Sequence, residues 1–204
     1  KKDIISFINF ILWYNIWRKV SDKMLVLVGP SASGKTEATK LLIEKYNLKK
    51  LVTYTTRKIR VNEVNGKDYH FISVDEFKQK IQENFFIEYV EYNGNFYGTS
   101  REDLSSDKVV ILEPAGVKTY HKQAKDLIKI CYLRTSVEYR LKRMIQRHDD
   151  PKEIEKRINS DDLIFNQELE TLADWVIDSN EISLEDMTDQ IYQLYKPFIW
   201  LLKH

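Results

Sequence analysis

The sequence predicts an α/β fold: a mainly parallel sheet flanked by helices, carrying a small mixed or antiparallel insert and a separate helical segment. Three observations carry that prediction. Short continuous apolar runs, MLVLV (24–28), VVIL (109–112) and LIKICYL (127–133), suit strands covered on both faces. Stretches of helical pattern alternate with them, as in a parallel sheet with crossover helices. Residues 55–100 interrupt the alternation, being polar and tyrosine-rich, with the alternating FIEYVEY and the turn signal NGN at 93–95.

The elements follow in order. Residues 1–23 form an N-terminal apolar extension with eleven apolar residues between Ile4 and Trp17. That stretch falls short of the roughly 20 residues of a membrane span, and no small-residue cleavage site follows it. A helix packed on the domain is the expected form, because exposed tryptophans are costly. An amphipathic surface helix, or upstream sequence translated ahead of Met24, are the other readings. The strand at 24–28 runs through GPSASGKT into the helix EATKLLIEKY, and LVTY (51–54) reads as a second strand. After the insert come the strand VVIL, a helix beginning near Gly116, and the strand LIKICYL. A helix opened by Thr135 or Ser136 breaks at HDDP, and a second helix starts after Pro151. WVIDS (175–179) is the last strand, and SLEDMTDQIYQLY the closing helix with Ser183 as its cap. The apolar tail FIWLL (198–202) is expected to pack on the leading segment. No repeat or low-complexity linker divides the chain, which reads as one domain with two inserted lobes.

Composition narrows the function. A formal net charge of +1 argues against a general polyanion binder, so no nucleic-acid partner is expected. The single cysteine, Cys131, excludes an internal disulfide framework and suits a reducing, cytoplasmic setting. His70, His121, His148 and His204 are too scattered for a metal-ligand pattern.

Residues Gly29, Pro30, Ser31, Ala32, Ser33, Gly34, Lys35 and Thr36 match G-x-x-x-x-G-K-[ST] between a predicted strand and a predicted helix. The glycines let backbone wrap an oxyanion, and the turn aims its N–H groups and the helix N-terminus at one point. Lys35 can bridge β- and γ-phosphates, and Thr36 can offer its hydroxyl to Mg²⁺ alongside waters. A nucleoside triphosphate, ATP, is the expected ligand.

TYTTRKIRVNEVNGKDYHF (53–71) concentrates groups that grip a second phosphate. Arg57 and Arg60 can converge on one dianion through their planar forks, Tyr69 can add a phenolic donor, and Glu63 can hold or neutralise an arginine. Glu88 can accept from an N1–H and exocyclic N2–H₂ edge, a donor pair that guanine alone presents among the common bases. Tyr97 and Thr99 add hydroxyls. Between Arg134 and Arg157 lies a basic two-helix segment in which Arg143, Arg147 and Arg157 are candidates to stabilise a phosphoryl group in flight. Arg140 reads as structural.

Taken together, GPSASGKT, YTTRKIRVNEVNGKDYHF, FIEYVEYNGNFYGTS and the two-helix arginine segment resemble the guanylate kinase family from Met24 to about Tyr195. The resemblance implies a P-loop core (24–54, 101–134 and 170–204), a GMP-binding lobe (55–100) and a lid (135–169). It implies that Arg57, Arg60, Tyr69 and Tyr97 hold the GMP phosphate, and that Thr53, Glu88, Thr99 and Glu113 surround the guanine. The implied reaction is phosphoryl transfer from ATP to GMP or dGMP with Mg²⁺. The sequence departs from the family pattern at Ala32, Asn62, Glu113, Pro114, Ala115 and Arg134, and Glu113 stands where aspartate is usual. A non-catalytic binding module of the same fold, and a nucleotide kinase with a shifted acceptor, are the alternative readings.

Overall fold

The computed structural model describes residues 23–59, 63–92 and 94–199. Residues 1–22 of the extension expected over 1–23, and the tail beyond Ile199, lie outside the described residues, and so do Arg60 and Asn62. The α/β prediction holds.

β1 (Met24–Val28) is wholly buried, as its unbroken apolar run requires. Its side chains alternate between two cores. Met24, Val26 and Val28 join Val117, Tyr120, Ile130 and Leu169 on one face, and Leu25 and Leu27 join Ala38, Leu42, Ile191 and Tyr195 on the other. After the glycine-rich turn, α1 (Lys35–Tyr46) packs Ala38 and Leu42 into the second of these cores. β2 (Lys49–Lys50) and β3 (Tyr54–Thr55) follow.

The strand expected over 51–54 is therefore divided, and its two parts serve different sheets. Leu51 is buried in the first core and still donates its N–H to the Val109 carbonyl at 3.0 Å. Tyr54 and Thr55 pair instead with Gly98 and Tyr97. Local apolar pattern cannot tell one strand from two when the chain changes sheet mid-run.

β4 (His70–Phe71) leads to α2 (Val74–Gln82), a helix the polar composition of 55–100 concealed. Its signal is SVDE: the Ser73 hydroxyl accepts from the Glu76 N–H at 3.1 Å, capping the first turn. Phe77 is its buried residue, stacked on Phe86 and Phe96. β5 (Phe86–Tyr92) and β6 (Asn95–Ser100) form the expected antiparallel hairpin. β3 pairs parallel with β4 and antiparallel with β6, so the sheet, ordered β4-β3-β6-β5, is mixed.

β7 (Lys108–Ile111), α3 (Pro114–Ala124) and β8 (Ile128–Arg134) return the chain to the first sheet. α4 (Val137–Gln146) begins after Ser136, although no side chain caps it; Thr135 is instead held by Ser179 at 2.6 Å. α5 (Pro151–Ile164) has proline in its first turn and Asp150 as a cap accepting from Lys152 and Glu153. A short α6 (Gln167–Thr171) inserts Leu169 into the core. β9 (Trp175–Asp178) completes the sheet, and α7 (Leu184–Tyr195) starts at Ser183, whose hydroxyl accepts from Asp186. The five-stranded sheet runs β2-β7-β1-β8-β9 and all its pairings are parallel. Among the described residues no helix is long and apolar enough to cross a membrane.

Candidate active site

Gly29 leaves β1 with a φ of 153°, and a Cβ there would sit 2.5 Å from the Leu133 carbonyl oxygen. Glycine is what lets the turn lie against β8. Gly34, with φ of 98°, precedes α1. Between them Ala32 takes φ of 62°, a left-handed conformation that costs a β-carbon about 1 kcal/mol. The loop is thus bent into a cup at the N-terminus of α1 by three residues of unusual backbone geometry.

Lys35 lies across that cup. Its ammonium donates to the Gly29 and Pro30 carbonyls at 2.6 and 2.8 Å. Burial pulls its pKa below the ordinary lysine range, while the charges of Glu113 and Asp161 oppose the shift. Thr36 is exposed in the first turn of α1. A hydroxyl completed by phosphate oxygens and water suits a hard cation such as Mg²⁺, which keeps most of its water. No group of three or more acidic, histidine or cysteine side chains among the described residues forms a protein-only metal cage.

The two helices α4 and α5 reach over the cup through a charged clasp. Asp161 Oδ2 accepts from the Ser31 N–H at 2.7 Å and from Arg140 Nη2 at 2.7 Å. Arg140 Nε donates to the Ser31 carbonyl at 3.1 Å, and Nη1 to Asp162 at 3.0 Å. The Arg140 and Asp161 side chains are 3% and 9% exposed, so this pair is desolvated. Arg140 thus has the structural place expected of it, but Asp161 carried no local sequence signal. A loop amide that the sequence motif assigns to phosphate is met here by the protein's own carboxylate.

Of the three candidate lid arginines, Arg143 alone touches the cup, donating to the Ala32 carbonyl at 3.1 Å and to the Ser179 carbonyl. Arg147 and Arg157 share Asp149, at 2.8 and 3.6 Å. Arg147 also lines a cavity of about 350 Å³ with Ala32, Gly34, Ile182, Leu184 and Met187. No local signal in the sequence joins Ile182, Leu184 and Met187 to the loop they face, which lies about 150 residues away.

The second cluster belongs to the mixed sheet. Arg57 forms a two-pronged pair with Glu63, at 3.0 and 2.7 Å, and lies 5.4 and 5.6 Å from the Tyr69 and Phe71 ring centroids. The Glu63 carboxylate raises the Arg57 pKa, with a smaller contribution from the nearby Tyr97 hydroxyl. On β5 and β6, the Thr99 hydroxyl donates to Glu88 Oε1 at 3.0 Å, and burial raises the Glu88 pKa. Thr53 lines a smaller cavity with Tyr69, Thr39 and Val110, between the two sheets. Glu113 stands at the head of α3, where its charge reaches Lys35. Arg60 lies outside the described residues.

The guanylate kinase family model matches residues 21–196, a span that holds both clusters. The chain belongs to the guanylate kinase family. It is 37% identical to the guanylate kinase of Wolinella succinogenes, over 64% of this chain and 64% of that one. With the guanylate kinase of Clostridium perfringens strain SM101 the identity is 39%, over 64% and 63%. The matched stretch thus spans less than two thirds of the length of these curated relatives. In fold, the chain is similar to the crystal structure of guanylate kinase from Anaplasma phagocytophilum, with a TM-score of 0.56 and 22% identity over 87% of this chain and 86% of that one.

Proposed function

We propose that this member of the guanylate kinase family transfers the γ-phosphoryl group of ATP to GMP, or dGMP, giving ADP and GDP. The observation that supports it most is the Arg57–Glu63 pair, 2.7 Å apart beside Tyr69 and Tyr97. It is a cation already oriented for an anion, its place kept by a carboxylate that a phosphate dianion can displace. In this reading Arg57 and Arg60, with Tyr69 and Tyr97, seat the acceptor phosphate. Glu88, Thr99, Thr53 and Glu113 surround the base.

The donor triphosphate lies in the cup of residues 29–36. Lys35 swings from the Gly29 and Pro30 carbonyls to the phosphate oxygens, and the base enters the cavity beside Ile182, Leu184 and Met187. Thr36 would hold Mg²⁺ through its hydroxyl, and the ion, when bound, neutralises charge on the β- and γ-phosphates. Arg143, and after lid movement Arg147 and Arg157, stabilise charge on the transferring group. The acceptor phosphate, with a second pKa near 6, is largely dianionic at neutral pH, so no strong base is needed. The lid, 135–169, closes over the core (24–54, 101–134, 170–204) and the lobe (55–100) and keeps water from taking the phosphoryl group. The proposed setting is cytoplasmic, with small nucleotides as partners rather than nucleic acid.

A shifted acceptor is the second reading, favoured by Glu113: its extra methylene relative to aspartate, and its reach toward Lys35, alter the base end of the site. An ADP-release assay across GMP, dGMP, AMP, CMP and UMP separates the two. GMP should lead by at least tenfold in kcat/KM; parity between GMP and AMP would end the guanine assignment.

A further inference from the structure

One carboxylate oxygen in the clasp over residues 29–36 takes two strong donors at once. Asp161 Oδ2 accepts from the Ser31 N–H at 2.7 Å and from Arg140 Nη2 at 2.7 Å. The first donor comes from the loop before α1 and the second from α4, 109 residues further along the chain. A backbone N–H and a guanidinium aimed at a single charged oxygen, out of water, make a seat for an oxyanion. The Arg140 and Asp161 side chains are both buried, so the carboxylate fills that seat. A second observation separates the seat from its occupant. Arg140 Nε donates at 3.1 Å to the carbonyl of Ser31, the same residue whose N–H forms the seat, and Nη1 donates to Asp162. The guanidinium is therefore tied to the loop independently of Asp161. Among the described residues the Asp161 side chain is hydrogen-bonded through that one oxygen. If it withdraws, both donors stay where they are.

We propose that Arg140 is a ligand of the donor phosphate, and that Asp161 keeps its seat in the free protein. The role rests on the reading of residues 29–36 as the donor cup. A triphosphate entering the cup brings an oxygen to the Ser31 N–H. Two anions cannot share that seat, so Asp161 withdraws. Arg140, still held by the Ser31 carbonyl, then donates to the phosphate through Nη2. Lys35 flanks the same place, and the charges of Asp161 and Arg140 both act on its ammonium. The exchange replaces one desolvated ion pair by another, so the buried guanidinium is never left unpaired. It also weakens the triphosphate by the free energy of evicting the carboxylate. A chain without the Asp161 charge therefore binds ATP more tightly, provided that Arg140 is there to receive it.

The test is calorimetric titration of ATP with Mg²⁺ into the full chain and two variants, Asp161→Asn and the double variant Arg140→Met with Asp161→Leu. Asp161→Asn keeps the shape of the side chain and removes its charge, so ATP affinity should rise about 5-fold or more. The double variant frees the Ser31 N–H but lacks the guanidinium. Its ATP affinity should lie about 10-fold or more below that of Asp161→Asn. A clasp that only latches α5 to the loop would shift both variants in the same direction by similar factors. That outcome, or an ATP affinity unchanged or lowered in Asp161→Asn, would overturn the role and leave the donor cup standing. A crystal structure of the wild-type chain with the unreactive analogue adenylyl imidodiphosphate decides the matter even where Asp161→Asn fails to fold. A phosphate oxygen should stand about 3 Å from Arg140 Nη2, with Asp161 off the Ser31 N–H. Asp161 still seated there with the analogue bound would overturn the role. A wild-type chain that binds no ATP would overturn the donor reading and this role with it.

Discussion

Replacing Arg140 with alanine tests whether the clasp over the cup of residues 29–36 is a desolvated ion pair or a surface contact. Arg140 is 3% exposed and holds Asp161, itself 9% exposed, at 2.7 Å, while also donating to the Ser31 carbonyl at 3.1 Å. Its second partner, Asp162, is 51% exposed and adds under about 1 kcal/mol. Removing the guanidinium strands the Asp161 carboxylate with one backbone N–H as support. Breaking a buried pair in this way costs about 3–5 kcal/mol. At this chain length each kcal/mol moves the unfolding midpoint by roughly 2–4 °C, so a fall of about 6–20 °C is expected by calorimetry. The paired change Arg140→Met with Asp161→Leu removes both charges and should recover most of that loss. A fall corresponding to less than about 1 kcal/mol, or a paired variant no better than Arg140→Ala, would refute the reasoning.

Four further outcomes follow from the geometry. Arg57→Ala should raise the KM for GMP at least tenfold and leave ATP affinity within about 2-fold, because Arg57 belongs to the cluster on the mixed sheet; equal losses would deny the division of labour. Glu88 has a raised pKa from burial, so its charge penalises the folded state at pH values above its folded pKa, and the penalty vanishes below its unfolded pKa. Glu88→Gln should therefore stabilise the fold at pH 7, flatten the pH dependence of stability in the acidic range, and weaken GMP binding; a destabilised variant contradicts this. Ala32→Gly relieves a φ of 62° and should raise the unfolding midpoint by roughly 1–2 °C, net of the extra flexibility glycine gives the unfolded chain. Cys131, fully buried with its thiol pushed up to about 12, should resist alkylation at pH 8 until denaturant unfolds the chain.

The parts of this molecule legible in the sequence are those written locally. The cup of residues 29–36 is a contiguous motif, and β1, β8 and the Ser183-capped helix announce themselves by run or cap. The Arg57–Glu63 pair lies within six residues and was equally open to reading. What stayed hidden is assembled from distant chain. Asp161 meets Arg140 across 21 residues and Ser31 across 130, and nothing near either foretells the meeting. The strand at 51–54 divided because burial in one sheet ends at Leu51 and burial in the other begins at Thr55. α2 is concealed by the polar, tyrosine-rich composition of 55–100, although Val74, Phe77 and Ile81 recur at helical spacing and Ser73 stands ready as its cap.

The polypeptide crosses between the two sheets twice, at 51–53 and at 101–107, and among the described residues no ladder of backbone hydrogen bonds joins them. Leu51 and Leu104 nail both crossings into the first core. A turn of the mixed sheet as a rigid paddle about the chain just beyond those two leucines would break no rung of either ladder. Ile87 of β5, 1% exposed, is seated in that same core, so any such turn would have to slide it against its neighbours there. The reach of such a turn would then be set by the tolerance of an apolar socket rather than by the elasticity of either sheet.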